Sequence, residues 1–273
     1  MTQTNIAFIG AGNMAISLIN GLISKGKNPA NIWVSAPSEA SRTKAAALGV
    51  NVSHNNNEIA SHADVIVVAV KPQVLKQVVS PLKTVIDGTN KVVISIAVGI
   101  DLSSLQAWLG ETTAIVRCMP NTPSLLGLGA TGLYANSNAS AEQKTLASDI
   151  LNAVGISIWV DNEAALNTVT AVSGSGPAYY FLLMEAMQDV GRKMGLDAQT
   201  SKLLTLQTAL GAAQMALDSD VEVDELRRRV SSPAGTTEQA VNTFEQGGLR
   251  ELVEEAMNNC AQRAEEMAKE LGE

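Results

Sequence analysis

Histidine and cysteine are scarce in this sequence. It has two histidines, His54 and His62, and two cysteines, Cys118 and Cys260. A zinc site or a histidine-dependent catalytic triad would have to be built from almost nothing, so we expect no metal site and no triad. Two cysteines are too few for a disulfide framework, and they fit a reducing compartment in which each packs as a small hydrophobic side chain.

Clustered basic residues and long apolar runs are also lacking. The formal charge is -8 and the basic residues are scattered, which argues against nucleic-acid binding. The one concentration, Arg227 to Arg229, is predicted to be an exposed turn of a short helix rather than an anion site. The apolar run 65–70 stops at Lys71, far short of a membrane span. Since the N-terminus has neither a basic region nor a cleavable apolar run, we expect a cytosolic protein.

The first 160 residues alternate short β-branched runs with helical segments. This pattern is typical of βαβ units around a mostly parallel sheet. Continuous apolar runs suit strands that are covered on both faces. The predicted strands are residues 6–9, 32–35, 65–70, 92–96, 114–118 and 129–134, and the predicted helices are 13–25, 38–48, 73–85 and 101–109, with Ser38 and Asp101 as N-caps.

Beyond Glu163 the strand signals stop and apolar residues recur at helical spacing. We predict helices over 178–194 and 197–217 and an apolar stripe over 249–271. The fold class is therefore α/β, with a Rossmann-type parallel-sheet domain over 1–162 and an all-helical domain over 163–273. So much apolar helical surface predicts a homo-oligomer, a homodimer or larger, with the helical half at the interface. The alternative is that these helices pack only on one another and on the first domain.

A glycine turn follows the first strand, in Asn5-Ile6-Ala7-Phe8-Ile9-Gly10-Ala11-Gly12-Asn13-Met14-Ala15. It matches the GxGxxG/A pattern of dinucleotide-binding folds. Gly10 permits the tight turn, Gly12 lets the backbone approach a pyrophosphate, and Ala15 lets helix and strand pack closely. The free N–H groups at the helix start then face the phosphates. The alternative is a glycine turn in a Rossmann-like domain that binds no dinucleotide.

The end of the second predicted strand favours NADP, with NAD as a possible cofactor. An NAD-preferring enzyme usually has an acidic residue there, whereas this sequence reads Ser35-Ala36-Pro37-Ser38 with Arg42 nearby. The third and fourth predicted strands, residues 65–70 and 92–96, end at the edge where a ligand lies in such sheets. The predicted cofactor-binding residues are Ile9, Gly10, Ala11, Gly12, Asn13, Met14, Ser35, Asn56, Ala69, Val70, Lys71, Pro72 and Ala97.

Three further segments are rich in small residues. They are Met119-Pro120-Asn121-Thr122-Pro123, Ser173-Gly174-Ser175-Gly176-Pro177-Ala178-Tyr179 and Val230-Ser231-Ser232-Pro233-Ala234-Gly235-Thr236-Thr237. In this order, behind the glycine turn, they closely resemble the pyrroline-5-carboxylate reductases, and the resemblance spans essentially the whole chain. Relatives usually read Ser-Pro-Gly-Gly-Thr in the last segment, where this chain has Ala234, and they often have a polar residue at the position of Ala36.

The resemblance implies roles for individual residues. The substrate carboxylate would be held by N–H groups and hydroxyls around Gly235, Thr236 and Thr237, and Glu163 and the turn with Ser175 and Gly176 would lie near the substrate. Asn56 would approach the ribose phosphate of the cofactor. The local pattern agrees, because this loop leads into an apolar-periodic segment and places unpaired N–H donors where an anion can sit.

The implied reaction is the reduction of 1-pyrroline-5-carboxylate to L-proline with NAD(P)H, the last step of proline biosynthesis. A cyclic imine arrives protonated and needs no strong acid from the enzyme, which suits a chain with two histidines. Thr237 is the predicted catalytic side chain. One alternative is a β-hydroxyacid dehydrogenase, but residues 178–184 have no lysine for its proton donor. Another is a regulatory module that binds a dinucleotide without turnover.

Overall fold

The computed structural model describes residues 4–272 and shows eight strands in one sheet. The strands are β1 (Ile6–Ile9), β2 (Ile32–Ser35), β3 (Asn51–Ser53), β4 (Val65–Val68), β5 (Val92–Ser95), β6 (Ala114–Met119), β7 (Gly129–Ala135) and β8 (Gly155–Trp159). Their order across the sheet is β3-β2-β1-β4-β5-β6-β7-β8. Neighbouring strands are parallel, except that β7 runs antiparallel to β6.

The central strands are buried on both faces. Successive residues of β1, such as Phe8 and Ile9, belong to two separate apolar clusters, as the two-residue period of a strand requires. One cluster includes Leu18 from the helix after β1, and the other includes Leu75 and Leu105 from helices on the opposite face. This arrangement explains why the central strands read as continuous apolar runs.

The chain forms two compact units. The first runs to Ser175 and resumes at Asn259, and the second is Gly176–Asn258. The helices of the first unit are α1 (Asn13–Ser24), α2 (Glu39–Ala46), α3 (Asn56–His62), α4 (Pro72–Val79), α5 (Lys83–Ile86), α6 (Leu102–Leu109), α7 (Ala141–Leu151) and α8 (Ala165–Val169), followed by a π-helical turn at Thr170–Gly174. The predicted boundary between residues 162 and 163 stays a prediction.

The second unit is helical throughout. It contains α9 (Gly176–Lys193), α10 (Ala198–Leu217), α11 (Val223–Arg229), α12 (Thr236–Gln246) and the first part of α13 (Leu249–Gly272), whose residues from Asn259 onward belong to the first unit. Many large apolar side chains of this unit are exposed in the single chain, among them Phe181, Leu210 and Leu252. The Arg227–Arg229 triplet forms the last turn of α11 and pairs with acidic side chains.

The predicted fold class is confirmed, while several element bounds are corrected. Strands β3 and β8 and helices α3 and α7 were not predicted. The single helix predicted over 73–85 is wrong, because a 3-10 turn at Ser80–Leu82 separates α4 from α5. Pro81 lies in that turn and has no N–H to donate. Among the described residues, no helix is long and apolar enough to cross a membrane.

Candidate active site

The glycine turn between β1 and α1 has a backbone that a side chain would disturb. Gly10 has φ of +106°, and a Cβ built there would lie 2.6 Å from the carbonyl oxygen of Ala69. Gly12 is the N-cap of α1, and no side chain caps the helix, so its first N–H groups are left for a ligand. Ala15 is fully buried against the sheet. The turn therefore has the free N–H groups that a pyrophosphate needs, and pyrophosphate binding there stays a prediction.

The carboxyl end of β2 has polar atoms suited to a ribose phosphate. Ser35 is 1% exposed, and its hydroxyl has no hydrogen-bond partner within the described part of the chain. The Nη1 of Arg42 donates to the carbonyls of Ala36 and Pro37, at 2.7 and 2.8 Å, which holds the guanidinium beside this strand end. An unpaired buried hydroxyl and a fixed cation are consistent with a phosphorylated ligand.

The segment around Asn56 lies at the start of α3. Asn56 is its first residue and is partly buried. The side chain of Asn55 caps the helix by accepting from the N–H groups of Asn57 and Glu58. The Oδ1 of Asn57 is buried and, in residues 4–272, has no hydrogen-bond partner. Sequence reasoning named Asn56 and missed Asn57, whose unsatisfied oxygen only a structure reveals.

The ends of β4 and β5 lie next to the glycine turn. The N–H of Ala69 donates to the carbonyl of Ile9 at 2.8 Å, which continues the pairing of β4 with β1. Lys71 is exposed and is the N-cap of α4, with Pro72 as the first helical residue. Ala97, just beyond β5, is 7% exposed. The structure thus brings Gly10, Ala69 and the start of α4 together at the carboxyl edge of the sheet.

Glu163 is held by two partners in the first unit. Its Oε1 accepts hydrogen bonds from the Arg117 side chain and from the N–H of Leu102, the latter at 2.7 Å. The Arg117 side chain is 11% exposed and that of Glu163 is 31% exposed, so this ion pair is partly shielded from water. Glu163 therefore links β6 to the start of α6. Its predicted contact with substrate stays a prediction, and neither Arg117 nor Leu102 was named from the sequence.

Ser175 follows the π-helical turn. Its N–H donates to the carbonyl of Thr170 at 2.8 Å, and the Sγ of Cys260 on α13 lies 3.2 Å from the Ser175 hydroxyl oxygen. Gly176, the next residue, is buried and begins α9. No local sequence pattern predicts the Cys260 contact, because the two residues are 85 positions apart.

The loop from Val230 to Gly235 lies in the second unit, between α11 and α12. Gly235 is the N-cap of α12, with no side-chain cap. Its own N–H donates to the carbonyl of Ser232 at 2.9 Å, and the N–H of Gln239 is the first to bond back into the helix. Thr236 and Thr237 are exposed. The first N–H groups of α12 are thus left without a side-chain cap, and their binding of a small anion stays a prediction.

Cys118 is buried near the end of β6. Burial raises the pKa of the Cys118 thiol far above its ordinary value, so this side chain stays a neutral thiol at physiological pH. Among the described residues, no three His, Cys, Asp or Glu side chains are grouped so that they could hold a metal ion.

Comparison with known proteins gives the decisive observation. The family model for pyrroline-5-carboxylate reductase dimerisation matches residues 163–267, and a model described as NADP oxidoreductase, coenzyme F420-dependent, matches residues 5–99. A pyrroline-5-carboxylate reductase of Pseudomonas aeruginosa is 53% identical over the full length of both chains. The chain belongs to the pyrroline-5-carboxylate reductase family.

Solved structures of this family agree in fold. A pyrroline-5-carboxylate reductase from Coxiella burnetii superposes with a TM-score of 0.94 at 46% identity, covering 97% of this chain and 98% of the other. The Plasmodium falciparum pyrroline carboxylate reductase, solved with NADP bound, gives a TM-score of 0.87 at 32% identity, covering 98% and 99%. The predicted family and activity class are confirmed, and the hydroxyacid dehydrogenase alternative is not favoured.

The structure gives a physical reason against that alternative. In α9 the only lysine is Lys193, which is the last residue of the helix. The proton donor expected of a β-hydroxyacid dehydrogenase near the start of this helix is therefore missing. A 3-hydroxyisobutyrate dehydrogenase of Mycobacterium tuberculosis, at 18% identity and a TM-score of 0.53, shares the fold alone.

Proposed function

We propose that this chain reduces 1-pyrroline-5-carboxylate to L-proline with NADPH, with NADH as a weaker donor, in the last step of proline biosynthesis. The observation that carries the proposal is the uncapped start of α12 behind Gly235 in a chain of this family. Free N–H donors at that position suit the carboxylate of a small imino acid. The regulatory-module alternative has no use for such a loop.

The residues of the first unit fit a nicotinamide dinucleotide. The glycine turn would hold its pyrophosphate, and Ser35, Asn56 and Arg42 would contact the ribose and its phosphate. The segment Ala69–Pro72, with Ala97, would line the rest of the binding edge. A bound dinucleotide would supply the hydride for the reduction. The Plasmodium falciparum relative solved with NADP supports NADP as the cofactor.

The protein contributes mainly by positioning the substrate. A protonated imine already has the proton that its nitrogen needs, so hydride addition to the imine carbon yields the amine of proline without a strong protein acid. The reacting carbons must approach to about 3–3.5 Å, and holding them there lowers the barrier. We assign the carboxylate to the N–H groups and hydroxyls of Gly235, Thr236 and Thr237. Thr237 also orients the ring nitrogen, and Glu163, Ser175 and Gly176 are assigned to substrate binding as well.

A homodimer, or a larger assembly built from it, is part of the proposal. The match to a dimerisation model over 163–267 supports it, as do the exposed apolar side chains of α9 and α10. Sedimentation equilibrium at micromolar concentration should give at least twice the monomer mass, and a monomer would contradict this part. The cytosolic location and the lack of nucleic-acid binding stay predictions.

The test of function follows NADPH absorbance in three assays. The first contains NADPH and pyrroline-5-carboxylate, the second contains NADP⁺ and a 3-hydroxyacid, and the third contains NADPH without substrate. We expect turnover with the imine alone. Turnover of the hydroxyacid would favour the dehydrogenase, and binding of NADPH without any turnover would favour the regulatory module.

The cofactor preference is tested by the Michaelis constants for NADPH and NADH. If Arg42 contacts the 2′-phosphate, R42A should raise the constant for NADPH by about tenfold, as expected for one charged hydrogen bond, and leave that for NADH unchanged. K44A, which removes an exposed lysine of the same helix α2, is the matched control. A wild-type preference for NADH would refute the NADP assignment.

A further inference from the structure

Asn121 joins two parts of the first unit through its side-chain amide. Its Oδ1 accepts from the N–H of Ala130 on β7 at 2.9 Å, and its Nδ2 donates to the carbonyl of Ser173 at 3.0 Å. Asn121 is 8% exposed, so water cannot readily replace either bond. Cofactor binding at the glycine turn and carboxylate binding at the α12 loop leave the role of the Met119–Pro123 segment unexplained.

Ser173 lies within the π-helical turn Thr170–Gly174. Such a turn is rare and often occurs at functional sites. Here the bond from the Ser175 N–H to the carbonyl of Thr170 spans five residues. A π turn shifts the following residues around the helix, so its geometry decides how Ser175 is presented.

The same turn is packed against the end of β6. A Cβ built on Gly174 would lie 2.3 Å from the Cε of Met119, which shows how closely this side chain covers the glycine. Met119 and Asn121 thus contact consecutive residues of the π turn, one by packing and one by a hydrogen bond.

We propose that Asn121 is a positioning residue that fixes the π turn and thereby the Ser175 backbone and hydroxyl for substrate binding. The inference rests on the proposed function, because Ser175 is assigned there to the substrate site. The side-chain partners of Asn121 are Ala130 and Ser173, neither of which belongs to the glycine turn, so its loss should weaken binding of the imino acid more than binding of the dinucleotide.

The test uses N121D, which keeps the acceptor for Ala130 and removes the donor to Ser173. We expect the Michaelis constant for pyrroline-5-carboxylate to rise by about tenfold, with kcat reduced less than about threefold and the constant for NADPH unchanged. A carboxylate facing a carbonyl in a buried place favours its protonated form, which can donate again. The Michaelis constant of N121D for pyrroline-5-carboxylate, divided by that of the wild type, should therefore fall as the assay pH is lowered from about 8 to about 5.5.

Asn136 provides a matched control. It is also 8% exposed, and its amide likewise bridges two backbone groups, accepting from the N–H of Ile115 at 3.0 Å and donating to the carbonyl of Thr113 at 2.8 Å. It lies at the opposite end of β6 from Asn121. N136D should lower the thermal midpoint as N121D does but leave the Michaelis constant for the imino acid unchanged.

Two outcomes, each with an active wild type, would overturn this inference and leave the proposed function intact. One is an unchanged Michaelis constant for pyrroline-5-carboxylate in N121D, and the other is an equal rise of that constant in N136D. An inactive wild type would instead overturn the proposed function and, with it, the substrate role of Ser175. If N121D does not accumulate as folded protein, N121S replaces it, since its shorter side chain cannot span both partners. The same rise in the Michaelis constant is then expected, and a wild-type value would refute the positioning role.

Discussion

The backbone N–H of Ala234 donates a hydrogen bond to the side chain of Glu238, with 2.8 Å between N and Oε2. Ala234 has φ of +55°, and it is the only non-glycine residue in the described part of the chain with a positive φ. This left-handed conformation costs an alanine about 1–2 kcal/mol. The hydrogen bond to Glu238 therefore holds the loop before α12 in a backbone conformation that is unfavourable for Ala234.

Replacing Ala234 by glycine should stabilise the protein. A234G removes the steric cost but increases the freedom of the unfolded chain, so we expect the free energy of unfolding to rise by about 0.5–1 kcal/mol. Urea unfolding measures it. The matched control is A240G on the exposed face of α12, where the same substitution should destabilise by about 1 kcal/mol. A loss of stability in A234G would show that the backbone at residue 234 is not strained.

Adding a methyl group at Gly10 should abolish dinucleotide binding. The new Cβ would collide with the carbonyl oxygen of Ala69 at 2.6 Å, in a backbone with φ of +106°. We expect G10A to raise the dissociation constant for NADPH by at least about a hundredfold, measured by calorimetry. The turn must shift to relieve the collision, and its N–H groups would then be too far from the pyrophosphate for hydrogen bonds. Gly26 offers the control, since it has φ of +87° but nothing within 4 Å of an added Cβ. G26A should lose some stability and bind NADPH normally.

The two edge strands show where sequence reasoning fell short. Strands β1 and β2 lie at the predicted bounds because their apolar runs are buried. Strand β3 contains Asn51 and Ser53, and β8 exposes Ile156 and Ile158. Each lies at an end of the sheet and pairs with one neighbour, so neither needs a continuous apolar run.

The candidate site also has parts with a local sequence signature and parts without one. The glycine turn and the α12 loop were predictable, because glycine spacing and an uncapped helix start have local signatures. The partners of Glu163 and Ser175 were not, since Arg117 and Cys260 are 46 and 85 residues away in the sequence. Contacts of this kind depend on tertiary packing, which no local pattern encodes.

The cap of α6 predicts a pH dependence of stability. The carboxylate of Asp101 accepts from the Ser104 N–H at 2.8 Å. Burial disfavours its charged form, but hydrogen bonds from Ser104 and Ser103 and the charge of Arg117 outweigh this and hold the pKa of Asp101 below its ordinary value. Because the folded pKa is lowered, this stabilisation is present above the unfolded value of about 3.9 and is lost as pH falls through the folded pKa.

We therefore expect the stability of the wild type to fall more steeply below about pH 4 than that of D101N, whose amide still caps the helix but does not titrate. Urea midpoints from neutral to acid pH measure the difference. D161N, at an exposed position before α8, is the control and should follow the wild-type curve. Parallel curves for D101N and the wild type would contradict the assigned shift.

Thr237 should be the most sensitive side chain for catalysis. Its backbone lies at the second position of α12, and its hydroxyl is exposed and has no hydrogen-bond partner in residues 4–272. If this hydroxyl orients the imine nitrogen, T237A should lower kcat by about tenfold or more, equivalent to about 1.4 kcal/mol. Folding should be unaffected, since no bond within the chain is lost. T243A on the same helix, whose hydroxyl bonds only to the Gln239 carbonyl, should retain full turnover. Because the two substitutions remove the same group from one helix, wild-type turnover in T237A would exclude Thr237 from the reaction.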